Sequence, residues 1–207
     1  MSSKMYMPLI IRERTKEHPL HITFIDDNPE QISHRGSYAW DRLTHSTDIS
    51  WWKSLTFTCI AERVPSRTSS QGAYYQKLTT LSSLRLSLSC DDLDASATSE
   101  FLRYIGELPS LESLAMYRVP SDLPGYLFPK LRTFSAESWC RHTNEISPVW
   151  NMMSKSPFLT SLRIPLTCSP TVFPSSPTIT LKYLHTLHVS TYFGSILLKH
   201  CTCTILN

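Results

Sequence analysis

The sequence predicts an α/β solenoid of short parallel strands, and three observations carry that prediction. One phrase recurs six times, its spelling suits a strand with a turn before it, and the stretches between alternate helix signals with Pro-rich turns. The phrase is apolar-x-x-apolar-x-apolar. It reads "WKSLTF" (Trp52, Leu55, Phe57), "LSSLRL" (Leu81, Leu84, Leu86), "LESLAM" (Leu111, Leu114, Met116), "LRTFSA" (Leu131, Phe134, Ala136), "LTSLRI" (Leu159, Leu162, Ile164) and "LHTLHV" (Leu184, Leu187, Val189). The starts lie 29, 30, 20, 28 and 25 residues apart, in or just beyond the range of about 20–29 residues typical of leucine-rich repeats.

Each part of the phrase has a geometric reason. The last two apolar residues alternate as in a strand, so both side chains reach one face, while the first enters from the preceding turn. One such strand cannot bury that face alone. Stacked in parallel, neighbours share a core, and the stretches between return as helix or irregular turn on the convex side. A solenoid of about six units is therefore expected over 51–192. Residues 1–50 are expected to form an N-terminal cap with a strand-like segment at 19–25, and 193–207 a tail without a visible polar cap, which reads as truncation.

Two returns carry helix signals. "SATSEFLRYIGEL" offers Ser96 or Thr98 as a cap and Phe101, Leu102, Ile105 and Leu108 at helical spacing; "SPVWNMMSKS" offers Ser147 followed by Pro148, a good first-turn pair. The short interval holding "SDLPGYLFPK" predicts a turn or a 3₁₀ piece, and 65–73 and 169–178 predict surface loops. The residue before the second apolar position is Ser54, Ser83, Ser113, Thr133, Ser161 and Thr186, which predicts a column of small hydroxyls packed where strands crowd, with a ligand-touching track as the alternative.

Composition narrows the function classes. A chain of 207 residues with 41% hydrophobic and 18% charged content can build one core, and its net charge of +3 comes with no run of like charges that would hold nucleic acid or an acidic membrane surface. The apolar run in "MYMPLIIRER" is seven residues long and is broken by Pro8, too short for a signal peptide or membrane span. A cytoplasmic or nuclear protein is expected. The six cysteines then read as reduced thiols, and Cys59, Cys90, Cys140 and Cys168 follow the repeat register close to where leucine-rich repeats carry Asn or Cys.

Chemistry has little to stand on. "HCTC" places His200, Cys201 and Cys203 together but lacks a second ligand pair and the spacing of most zinc sites. The other histidines form no HExxH, there is no GxSxG, and no glycine-rich phosphate loop is spelled. Asp91, Asp92 and Asp94, like Asp26 and Asp27, read as solvated turns. Neither an enzyme nor a cofactor or metal site is expected.

Surface remains. The side chains between the last two apolar positions are expected on the concave side, namely Thr56, Arg85, Ala115, Ser135, Arg163 and His188, with Ser87, Tyr117, Glu137, Pro165 and Ser190 in the next column. Concave solenoid faces are common docking surfaces, and Arg and Tyr are frequent interface anchors. Arg85, Tyr117, Glu137, Arg163 and His188 are the candidate partner-binding residues.

"ERTKEHPLHITF" (13–24), "LTHSTDISWWKSLTF" (43–57) and the repeated "LxSL" phrases resemble the region following the F-box in F-box/leucine-rich-repeat-like proteins of mushroom-forming (basidiomycete) fungi, over roughly residues 9–190. The resemblance implies a substrate receptor of a cullin-based ubiquitin ligase, whose repeats hold the target protein while F-box helices bind a Skp-type adaptor. No F-box is recognisable in the 18 residues before "PLHI", so an adaptor is implied only if an F-box precedes this region. A scaffold unconnected with ubiquitin and an inactive truncated product are the alternatives.

Overall fold

The computed structural model describes residues 19–26, 49–60, 75–89, 101–103, 107–119, 123, 128–139, 147–164, 179–189 and 201–203. The chain is α/β with few helices. Seven strands, β1 (Leu20–Asp26), β2 (Trp52–Ile60), β3 (Ser83–Ser89), β4 (Ser113–Val119), β5 (Thr133–Trp139), β6 (Ser161–Ile164) and β8 (Thr186–Val189), form one open parallel sheet in chain order. The intervening β7 (Ile179–Leu181) pairs instead with β9 (Cys201–Cys203), also in parallel. Helix α1 (Ser147–Lys155) fills the return between β5 and β6. Among the described residues no helix is long and apolar enough to cross a membrane.

The register aligns the recurring phrase with itself. Leu55 pairs with Leu84, Leu84 with Leu114, Leu114 with Phe134, Phe134 with Leu162 and Leu162 with Leu187. The strand-like segment near the N-terminus joins the same ladder, with Ile22 opposite Leu55 and Phe24 opposite Phe57. A slip of one residue would turn every apolar side chain onto the other face, so the alternation fixes the register at each step. Leu55, Phe57, Leu84, Leu86, Leu114, Met116, Phe134, Ala136, Leu162 and Ile164 are all at most 1% exposed. β5 departs from its neighbours by combining a large Phe134 at the second position with a small Ala136 at the third.

At the N-terminal end the third column is aromatic. Phe24 and Phe57 stack with ring centroids 4.9 Å apart, and Phe101 stacks on the other side of Phe57 at 4.5 Å. Phe101 comes from the helical residues 101–103, so the return after β3 delivers a ring into the strand core. Leu108, expected in the same helix, lies outside it, because Pro109 disfavours helical backbone at the residue before it.

Leu108 instead heads a turn that the sequence reading had not recognised as part of the unit. The amide of Leu111 donates to the Leu108 carbonyl, that of Leu131 to Phe128, that of Leu159 to Ser156 and that of Leu81 to Leu78, at 3.0–3.3 Å. Proline occupies the second position in three of these turns, Pro109, Pro129 and Pro157, where its fixed φ is pre-set for a β-turn. The turn heads Leu78, Leu108, Phe128 and Ser156 are buried, as are Ile49 and Leu181 at the corresponding places before Trp52 and Leu184. Ser156 is the polar exception, and its hydroxyl donates to the Met152 sulfur at 3.7 Å.

A second regularity links one unit to the next. The Ser82 carbonyl accepts the amides of both Glu112 and Ser113; Glu112 accepts those of Arg132 and Thr133; Arg132 those of Thr160 and Ser161; Thr160 those of His185 and Thr186, all at 2.7–3.0 Å. One carbonyl thus satisfies two amides where β4, β5, β6 and β8 begin, as buried or crowded backbone requires.

Three further expectations change. Leu187, expected in the core, is 40% exposed: β8 is the last strand of its sheet and has only β6 beside it, so one flank of its side chain lacks a covering rung. The segment after the 169–178 loop carries β7, and the tail carries β9, neither of which was foreseen. The two loops at 65–73 and 169–178, most of "SDLPGYLFPK" and Cys90, Cys140 and Cys168 lie outside the described residues.

Leu114→Ala should cost about 2–5 kcal/mol, as a fully enclosed truncation, whereas Leu187→Ala should cost less than half as much; urea denaturation of the two variants measures the contrast. Pro129→Ala should destabilise by roughly 0.4–1 kcal/mol through the freer unfolded chain, with no change in the denaturant m-value.

Candidate docking face

Parallel sheets ordinarily carry helices on both faces and read as continuous apolar runs. Here one face is apolar and buried, while Thr23, Thr56, Arg85, Ala115, Ser135, Arg163 and His188 on the other are half-buried or exposed, with Val119 at the end of β4 the buried exception. The strand alternation therefore leaves a polar sheet surface open, and its columns are the ones the phrase predicts.

The first column holds the small hydroxyls. Ser54, Ser83, Ser113, Thr133, Ser161 and Thr186 follow one another in register, and β1 extends the column with His21, whose Nδ1 lies 2.7 Å from the Ser54 hydroxyl. Short side chains here keep the surface low and suit the crowding of successive strands. The second column reads Thr23, Thr56, Arg85, Ala115, Ser135, Arg163 and His188. In the third, the exposed Ile25 pairs with Thr58 and Thr58 with Ser87, and Tyr117 and Glu137 hold the corresponding places on β4 and β5. Pro165 and Ser190, expected in this column, lie outside the described residues.

The five candidate residues are all exposed on this face, and they divide into two groups. Arg85 on β3 donates to Glu137 on β5 through its guanidinium at 2.5 Å, reaching across β4, where the small Ala115 stands opposite Arg85. Tyr117, 39% exposed, stands on that same intervening strand. Arg163 and His188 form the second group, directly opposite one another on β6 and β8, and among the described residues no carboxylate pairs with either. Glu137 is the diagonal neighbour of Arg163, because Ser135 is opposite Arg163, a distance that long side chains can span. In this structure its carboxylate is engaged by Arg85.

The chemistry of the arrangement lies in its hydroxyls, two arginines, histidines, a tyrosine and a carboxylate. The Ser54 hydroxyl meets His21, and among the described residues no group of three or more His, Cys, Asp and Glu could hold a metal ion. His200 lies outside the described residues, and for Cys201 and Cys203 only the backbone in β9 is described. The Arg85–Glu137 pairing is the feature that sequence reading missed. The small Ala115 opposite Arg85 on the intervening strand suits that reach.

With both side chains about half exposed, this ion pair should contribute less than about 1 kcal/mol and fade in high salt; a double-mutant cycle over Arg85→Ala and Glu137→Ala, run by chemical denaturation at low and high salt, measures the coupling. Compared with protein-family models, curated proteins and solved structures, the chain finds no match.

Proposed function

We propose that the chain is an irregular leucine-rich-repeat solenoid acting as a non-catalytic protein-binding module, with the open sheet face as its docking surface. The observation that carries this reading is the in-register ladder itself, with apolar columns on one face and an uncovered polar column set on the other. A sheet that buries one face by stacking similar units leaves the second face free for a partner, and its length across the strands exceeds what a compact pocket would present.

By the resemblance of "PLHI", "HS…WW" and the "LxSL" phrases, the module is the target-holding part of a ubiquitin-ligase receptor of the F-box type, working in the cytoplasm or nucleus. The target is a protein, and neither nucleic acid nor a membrane is its partner. A Skp-type adaptor enters only through an F-box joined to this region.

Affinity capture of the natural full-length protein tests both parts. Recovery of a Skp-type adaptor together with a protein that accumulates when the proteasome is inhibited supports the receptor. A protein partner recovered without adaptor and without accumulation supports a scaffold and removes the ubiquitin role. Replacing Arg85 and Arg163 together by Ala should weaken the captured partner by roughly 10-fold or more while the melting temperature stays within about 2 °C; unchanged capture removes the open face as the docking surface.

A further inference from the structure

The charge of this chain is unevenly placed. From residue 146 to the end there is no Asp or Glu, while Lys155, Arg163, Lys182 and Lys199 all lie there. The open face inherits that imbalance. Its β3–β5 part neutralises itself through Arg85 and Glu137, whereas its β6–β8 part presents Arg163 and His188 opposite each other with no carboxylate on either strand.

Resting on the docking reading above, we propose that the β6–β8 end of the open face binds an acidic, extended segment of a protein partner. Two basic side chains directly opposite on neighbouring strands repel when both are charged, and a carboxylate laid between them relieves that repulsion. Arg163 presents a planar fork of donors that matches a carboxylate in two-bond geometry. The adjacent column supplies the Ser161 and Thr186 hydroxyls, which can donate to the same segment. Ser135 on β5, opposite Arg163, is short enough to let the chain lie flat against the sheet. Glu137 sets the boundary of the site, since it occupies the guanidinium of Arg85 and stands diagonally from Arg163.

Three fluorescein-labelled decapeptides of alternating Gly and Glu, Gly and Gln, or Gly and Lys test the proposal by anisotropy at about 50 mM salt, where surface charges act over roughly 10–15 Å. The expected order is Glu peptide strongest, Gln peptide at least about 5-fold weaker and Lys peptide weakest. Arg163→Gln should weaken the Glu peptide by roughly 5-fold or more, and Glu137→Gln should strengthen it by roughly 2–5-fold, by releasing Arg85. Lys155→Gln removes the same charge from the end of α1, outside the open face, and should change little.

Equal binding of the Glu and Gln peptides, or equal losses from Arg163→Gln and Lys155→Gln, overturns the proposal. So does tighter binding of a single-stranded deoxythymidine decamer than of the Glu peptide. Binding of the Gln peptide that is lost on Arg163→Gln without acidic preference leaves the docking reading standing and removes only the acidic partner. Circular dichroism of each variant separates lost binding from lost fold.

Discussion

Every strand in the main sheet depends on the strand beside it to cover its apolar face. A single segment such as "SLAM" exposes two large side chains and a row of backbone donors, and it gains stability only when the next segment arrives in the same register. The ladder satisfies both needs at once: the columns headed by Leu55 and Phe57 close off water, and the carbonyls of Ser82, Glu112, Arg132 and Thr160 each take two amides from the following unit. The ends differ from the middle for that reason. The N-terminal end is closed by Phe24 stacked on Phe57, while β8 leaves Leu187 partly uncovered.

The strand half of this architecture was legible in the sequence because alternation is a local signal that tertiary packing reinforces. The register of Leu84, Leu114, Leu162 and Leu187 on successive apolar rungs, with Phe134 between, follows from aligning the phrase with itself, and so does the hydroxyl column. The turn half was not legible. Its buried heads sit three residues before the phrase in stretches such as "LPS" and "FPK", where Pro reads as a generic loop signal, and in one unit the head is Ser156, a polar residue that no apolar pattern selects. The small β7–β9 sheet escaped for a related reason: strands of three residues are too short for alternation to be counted.

The open sheet face was legible in outline and not in its internal pairing. Which residues point outward follows from parity along each strand. That Arg85 reaches Glu137, a residue 52 positions away and two strands over, does not follow from parity, and the pairing changes what the face offers. Two arginines that look equivalent in the sequence are unequal in the fold: one is held by an internal carboxylate, while the other stands beside a histidine. The chemistry of the face therefore varies along the sheet even though its backbone repeats.

The doubly accepting carbonyls belong to Ser82, Glu112, Arg132 and Thr160, and Lys53 and His185 stand at the same place in the first and last phrases. No two of these six residues are alike, and none is buried. The contact that joins one unit to the next is made by main-chain atoms, so the identity of the side chain above it is free. Along this edge a lineage could repaint the molecule's exterior in any mixture of acid, base or hydroxyl and keep the same scaffold beneath.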